Sequence, residues 1–128
     1  MKIIVSTILV LTACIFLSCK KDQCEAGPGG QLTITAFPKH HSKPTIPLWA
    51  YVKFNTQELP GISPSDFDLV VAGDSTEDHI ELENLNCGEY YIYMIAFDTA
   101  INDTVVGGIP FSTEQEAGEV ITEVPVVE

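Results

Sequence analysis

The sequence contains no arginine, and its strongly basic residues are six lysines, against 18 aspartates and glutamates. Proteins that bind nucleic acids use guanidinium groups or a basic stripe to neutralise phosphates. The composition therefore argues against a nucleic-acid partner. The same acidity gives no electrostatic attraction to anionic lipid headgroups, so association with a membrane requires a hydrophobic or covalent anchor.

Sequence signatures of catalysis are also missing. There is no G-x-S-x-G nucleophile elbow, no H-E-x-x-H zinc motif and no phosphate-binding loop. The stretch GPGG at residues 27–30 precedes a predicted strand instead of opening a helix. A small domain also offers little depth for burying a pair of catalytic carboxylates. We therefore expect a protein that is not an enzyme and that has no cofactor.

The N-terminus has the pattern of a bacterial secretory leader. Lys2 is followed by the 16 residues IIVSTILVLTACIFLS, which are mostly apolar and end just before Cys19. One positive charge before a short apolar run is typical of a cleaved signal peptide. The alternative is a helix that stays in the membrane, but a span prefers about 20 residues. A cleaved leader is therefore favoured.

Two cysteines at the end of this run could be the cleavage point. Both FLSC, ending in Cys19, and LTAC, ending in Cys14, resemble the lipobox of bacterial lipoproteins, in which a small residue precedes the cysteine that is acylated. Cleavage before Cys19 uses the whole apolar run and exposes KKDQ as a polar tether. Cleavage before Cys14 leaves residues 15–17 outside the leader. We therefore predict lipidation at Cys19, with Cys14 as the less favoured alternative.

Lipidation divides the chain into three parts. We predict a signal peptide over residues 1–18, a lipidated tether over residues 19–30 and a folded domain over residues 31–128. Loss of the leader removes Lys2, which leaves five lysines against 18 acidic residues and a net charge of −13. The protein is then expected in the bacterial cell envelope, anchored by lipid in the outer membrane and facing the periplasm or the cell surface. Its expected partners are the membrane, through the anchor, and a protein or carbohydrate of the envelope.

The remaining cysteines are expected to pair. With Cys14 removed and Cys19 acylated, Cys24 and Cys87 are left as thiols. An oxidising compartment allows them to form a disulfide that closes a loop of about 60 residues. The gaps between the first three cysteines do not match the C-x₂-C spacing of zinc sites or thioredoxin-like motifs.

The folded part has strand signals and no helical period. Apolar alternation between Pro, Gly, Asn and Asp turn signals predicts seven strands, at residues 31–37, 48–55, 66–72, 79–83, 90–98, 104–109 and 119–126. Short strands without intervening helices predict antiparallel sheets that bury their apolar faces against each other. The expected fold is a seven-stranded antiparallel β-sandwich.

Two segments, SKPTIPLWAYVKFN and DSTEDHIELENLNCGEYYIYMIAFD, resemble the transthyretin-like domain, which is also called the carboxypeptidase regulatory-like domain. The residues that carry the resemblance are Pro44, Ile46, Pro47, Ala50, Val52, Asn84, Leu85, Gly88, Tyr90 and Tyr91. The resemblance implies a transthyretin-like or immunoglobulin-like sandwich in a small envelope lipoprotein. It implies no activity, because such domains serve as non-catalytic modules and fold does not determine function.

The three histidines support an alternative function. His40 and His41 are adjacent, and His79 follows later in the chain. Adjacent histidines in an extended segment point to opposite faces, so a zinc or copper site requires the segment to turn and His79 or a carboxylate such as Asp78 to converge. The alternative function is therefore a metal-binding lipoprotein that uses His40, His41 and possibly His79. The competing structural interpretation is that His40 and His41 are solvated polar residues in a loop.

Three other features have both a structural and a functional interpretation. Asp66, Asp68, Asp74, Glu77 and Asp78 lie close together in the sequence, but the EF-hand pattern for calcium is absent. Gly107 and Gly108 interrupt a strand and indicate a bulge or a close approach of another segment. Four aromatic residues share the face of the sheet opposite the predicted core and could bind a sugar or a protein if they are exposed; they are Trp49, Tyr51, Tyr91 and Tyr93.

Overall fold

The structure, a computed structural model, describes residues 24–128. The predicted leader, residues 19–23 of the predicted tether and both candidate lipidation sites, Cys14 and Cys19, lie outside the described residues. Within residues 24–128 no helix is long and apolar enough to cross a membrane.

Eight β-strands make up the described chain, together with one 3₁₀ turn at Pro64–Asp66. The strands are β1 (Pro28–His40), β2 (Lys43–Pro44), β3 (Ile46–Phe54), β4 (Leu69–Ala72), β5 (Ile80–Leu85), β6 (Gly88–Asp98), β7 (Asp103–Thr113) and β8 (Ala117–Pro125). The prediction of an all-β fold is therefore confirmed. The count is eight instead of seven because the two-residue strand β2 pairs with the end of β1.

The strands form two four-stranded sheets. In sheet A, β1 pairs with β8 on one side and with β5 on the other, and β2 also pairs with β1. Sheet B has the order β4-β3-β6-β7, and all its pairs are antiparallel. The two sheets face each other as a β-sandwich.

One pair departs from the predicted antiparallel arrangement. β8 lies parallel to β1 over the register from Gln31 opposite Ala117 to Lys39 opposite Pro125. The reason is the direction of β7, which ends at the end of the sandwich where β1 begins. The short connection to β8 therefore brings the chain into sheet A running the same way as β1.

The core lies between the sheets and comes from alternate residues of the long strands. Each of these strands places one face inward, as the period of two requires. The fully covered apolar side chains are Leu32, Ile34, Ala36, Ala50, Val52, Leu82, Tyr90, Ile92, Met94, Ala96, Val105 and Val124. Ala50 and Val52 are thus on the predicted core face of β3, whereas Leu48 is exposed beside a register shift near the start of that strand.

The boundaries of three strands differ from the predicted ones by three or more residues. β1 begins at Pro28 instead of residue 31, and β7 continues to Thr113 because it pairs along the whole of β6. The predicted strand at 66–72 begins only at Leu69, because residues 64–66 form the 3₁₀ turn.

The strand directions define two ends of the sandwich. At the disulfide end, residues 24–27 lead into β1, residues 86–87 join β5 to β6, and residues 114–116 join β7 to β8. At the histidine end lie the β1–β2 turn, residues 73–79 and residues 99–102. With a rise of about 3.3 Å per residue, the 13 residues of β1 separate the two ends by roughly 40 Å.

Candidate functional site

The disulfide end is closed by a covalent bond. Cys24 and Cys87 form a disulfide with their Cα atoms 4.8 Å apart, which is within the range that a disulfide requires. This confirms the predicted pairing. It also means that the chain is fixed to the sandwich from Cys24 onward, four residues before β1 begins.

A tyrosine corner supports the same end. The Tyr90 hydroxyl donates a hydrogen bond to the carbonyl oxygen of Asn86 (2.6 Å) and accepts one from the Gly27 N–H (3.0 Å). Burial raises the pKa of Tyr90. Gly88 has a φ of +147°, and a Cβ at this position would lie 2.5 Å from the backbone nitrogen of Ala26. Gly88 and Tyr90 therefore both serve the corner, Gly88 through its positive φ and close approach to Ala26 and Tyr90 through its hydroxyl.

At the histidine end, His40 is buried and paired with a carboxylate. Its Nδ1 lies 2.6 Å from Asp98 Oδ2, and it is the donor because a carboxylate can only accept. Asp98 Oδ1 also accepts the N–H of Ala100 at 2.9 Å. The hydrogen bond from His40, and then that from Ala100, lowers the pKa of Asp98. The pair connects the end of β1 to the end of β6, which belong to different sheets.

His41 lies in a tight turn instead of an extended segment. The turn between β1 and β2 consists of His41 and Ser42, with φ of +49° and +63°. Two consecutive positive φ values match the type I′ hairpin turn, for which Asn-Gly is the favoured pair. The turn brings the rings of His40 and His41 together, with their centroids 4.1 Å apart.

His79 does not join this pair. Its ring packs at 5.1 Å from Phe37, and its Nδ1 lies 2.9 Å from Asp78 Oδ1. Phe37 lies on the outer face of sheet A, whereas His40 lies on the inner side of β1. The hydrogen bond to Asp78 raises the pKa of His79, and the nearby charges of Glu77 and Glu81 add to it.

The hypothesised metal set is therefore divided between two places. Within residues 24–128, no three His, Cys, Asp or Glu side chains are grouped so that they could hold a metal ion.

The carboxylates considered for calcium stabilise local turns. Asp66 Oδ2 accepts the N–H of Ser63 at 3.0 Å, and Asp74 Oδ1 accepts both the N–H and the hydroxyl of Thr76. These two bonds lower the pKa of Asp74. Asp68 binds the N–H of Phe54 at 2.8 Å. Asp66, Asp68 and Asp74 thus each have a structural partner of their own.

Phe67, which sequence reasoning missed, changes the aromatic face of sheet B. It packs on the outer side of the sheet at 5.4 Å from Tyr51 and 6.0 Å from Tyr93, measured between ring centroids. Tyr51 and Tyr93 are thereby left only 7% and 9% exposed, and Trp49 is 42% exposed. The four aromatics do not form one open platform. The signal in the sequence was the turn pattern SPSD at residues 63–66. This turn interrupts the extended chain just before Phe67 and directs it back to the sheet.

The two adjacent glycines of β7 allow close contacts on opposite sides of the strand. A Cβ on Gly107 would lie 2.0 Å from the carbonyl oxygen of Pro125, and one on Gly108 would lie 2.6 Å from the ring of Tyr91. The register of β6 with β7 is continuous. Gly107 and Gly108 therefore allow the close approach of neighbouring segments, and they do not form a bulge.

No protein-family model, no curated protein and no solved structure matches this chain.

Proposed function

We propose that the chain is a non-catalytic lipoprotein of the bacterial cell envelope, lipidated at Cys19, whose β-sandwich acts as a binding or accessory module. We further propose that the sandwich is of the transthyretin-like kind. The glycine and tyrosine positions of the corner at Gly88 and Tyr90 support this fold assignment. The ligand class consists of proteins or carbohydrates of the envelope.

The disulfide at Cys24 is the observation that carries the proposal. A disulfide fits an oxidising compartment outside the cytoplasm, which is where a lipoprotein leader would deliver the chain. It lies five positions after Cys19, so the folded domain begins almost at the predicted anchor. The histidine end, roughly 40 Å away along β1, then faces away from the membrane.

Trp49 is the residue that we propose for contact with a partner. It is the single tryptophan of the chain, it is 42% exposed on the outer face of sheet B, and it lies near Val70, which is 39% exposed. Tryptophan is enriched where proteins bind partners, because its ring has a large apolar area and a hydrogen-bond donor.

Mass spectrometry of the protein extracted from membranes by detergent tests the anchor. We expect a mature N-terminus at Cys19 that carries acyl mass, loss of this mass in Cys19→Ala, and its retention in the matched variant Cys14→Ala. A mature N-terminus at another residue, or one without acyl mass, contradicts the proposal.

Affinity capture from the native membranes tests the binding module. Trp49→Ala is expected to weaken the capture of a specific partner by at least about tenfold, because an aromatic side chain that becomes buried when the partner binds carries much of the binding energy. Ile121→Ala is the matched control, because Ile121 is also exposed but lies on the outer face of sheet A. Equal capture by both variants contradicts the role of Trp49. The zinc and copper content of the same tag-free sample tests the metal-binding alternative. That alternative requires bound metal in stoichiometric amount that is lost in His41→Ala.

A further inference from the structure

The loop of residues 55–68 presents two large apolar side chains to solvent. Ile62 is 68% exposed and Leu59 is 46% exposed. Both lie in the segment ELPGISP, where Pro60 and Pro64 restrict the backbone. Exposed side chains of this size, close together on one loop, indicate a contact surface more strongly than isolated exposed residues do.

The loop is held in place at several points. Phe67 anchors its C-terminal part between Tyr51 and Tyr93. The side-chain amide of Gln57 donates to the carbonyl oxygen of Tyr90 at 3.3 Å, and Asp66 accepts the N–H of Ser63. A pre-ordered loop loses little conformational entropy when its apolar side chains are covered.

The loop begins and ends at the disulfide end. The N–H of Asn55 donates to the carbonyl oxygen of Glu89, and the N–H of Asp68 donates to that of Val52. Cys24 and Asn55 line the same surface cleft. If Cys19 carries lipid, the five residue steps from Cys19 to Cys24 extend at most about 18 Å. The tether therefore keeps this end of the sandwich at the bilayer surface.

We infer that Leu59 and Ile62 dock into the lipid bilayer and fix the orientation of the anchored domain; this inference rests on the proposed lipidation of Cys19. The occupant is lipid because the short tether holds this end of the sandwich, and the loop with it, beside the bilayer. Glu58, next to Leu59, and Glu89 at the same end disfavour anionic headgroups, whereas Lys20 and Lys21 beside the anchor favour them. A zwitterionic surface therefore isolates the apolar contact of Leu59 and Ile62. The histidine end then projects into the aqueous phase.

Single-tryptophan fluorescence of the mature acylated protein in vesicles tests the inference. In a Trp49→Phe background, Ile62→Trp places the probe on the loop. Ile101→Trp is the matched control at the histidine end, where Ile101 is 41% exposed. The vesicles contain phosphatidylcholine and phosphatidylethanolamine, with or without brominated phosphatidylcholine. Insertion by about 5–10 Å predicts quenching of the Ile62→Trp probe by about half, with none for Ile101→Trp.

Each outcome has a distinct meaning. Quenching of the loop probe alone supports the inference. Acylated protein in which neither probe or both probes are quenched overturns it and leaves the anchor intact. A blue-shifted loop probe without quenching indicates a second copy or another protein on the loop, and also overturns it. Absence of acyl mass on the same sample overturns the proposed function together with this inference.

Discussion

The two ends of the sandwich are held together by different chemistry. At the disulfide end, a covalent bond, two neutral hydrogen bonds of Tyr90 and a close glycine contact fix residues 24–27 to the start of β6. At the histidine end, the ionisable pair His40–Asp98 connects the two sheets, and the adjacent turn contains two non-glycine residues with positive φ.

The difference separates connections that do not titrate from one that does. A disulfide does not titrate, and the raised pKa of Tyr90 keeps its hydroxyl neutral at physiological pH. The carboxylate of Asp98 carries charge, so the connection between sheets at the opposite end depends on pH. In the proposed orientation, the connections that do not titrate lie at the membrane, and the titratable pair lies at the end that faces away from it.

Removal of the disulfide is the change with the largest expected effect. Closing a loop of 63 residues predicts that Cys24→Ala/Cys87→Ala lowers the free energy of unfolding by about 4 kcal/mol. Urea denaturation of the oxidised protein and of the variant at neutral pH measures the difference. A loss below about 1 kcal/mol would show that Tyr90 and Gly88 hold this end without the covalent bond.

Removal of the Tyr90 hydroxyl should have the next largest effect. Tyr90→Phe keeps the ring but leaves the Gly27 N–H and the Asn86 carbonyl without this partner inside the corner, so we expect a loss of about 1–3 kcal/mol. Tyr91→Phe is the matched control on the outer face of sheet B, with an expected change within about 0.5 kcal/mol. Equal effects of both substitutions in equilibrium unfolding would contradict a special role for the corner.

Local patterns predicted much of this architecture. Alternation along β3 and β6 identified strands whose inner residues are buried, and the turn signals between the predicted strands 79–83 and 90–98 placed Gly88 in the connection where the corner lies. These features depend on residues that are near one another in sequence. The pairing of Cys24 with Cys87 could be predicted for another reason, since the predicted cleavage and lipidation left these two cysteines to pair with each other.

Long-range packing explains what the sequence did not predict. The parallel pairing of β8 with β1 depends on which edge of sheet A is free when β7 ends, and no local pattern encodes that. The burial of Tyr51 and Tyr93 depends on Phe67 returning from a loop of irregular structure. Likewise, Asp98 has the sequence context of an ordinary carboxylate at a strand end. Only the fold brings it beside His40, which lies 58 residues earlier in the sequence.

Substitution of Asp98 tests the titratable end. Because the hydrogen bond from His40 lowers the pKa of Asp98, the carboxylate stabilises the fold above its unfolded pKa. This contribution is lost as the pH falls through the lower folded pKa, in the range below about pH 4. We expect Asp98→Asn to be less stable than the natural protein at neutral pH and to show a flatter loss of stability on acidification.

Thermal unfolding between neutral and strongly acidic pH measures this dependence. Glu114→Gln is the control, because it removes one charge from the exposed connection between β7 and β8 at the disulfide end. An acid dependence of Asp98→Asn that equals that of Glu114→Gln would show that the His40–Asp98 pair does not make the histidine end sensitive to pH.

The turn at His41 and Ser42 gives the smallest expected effect, and one of opposite sign. Asn-Gly suits two positive φ values better than His-Ser does, so His41→Asn/Ser42→Gly should raise the free energy of unfolding by up to about 1 kcal/mol. Ser42→Ala keeps a Cβ at the strained position and should not stabilise the protein. Both variants can be compared by urea denaturation. A less stable Asn-Gly variant would mean that the contact between the rings of His40 and His41 stabilises the protein by more than the turn strain destabilises it. The histidine end would then be a packed element instead of a loosely held one.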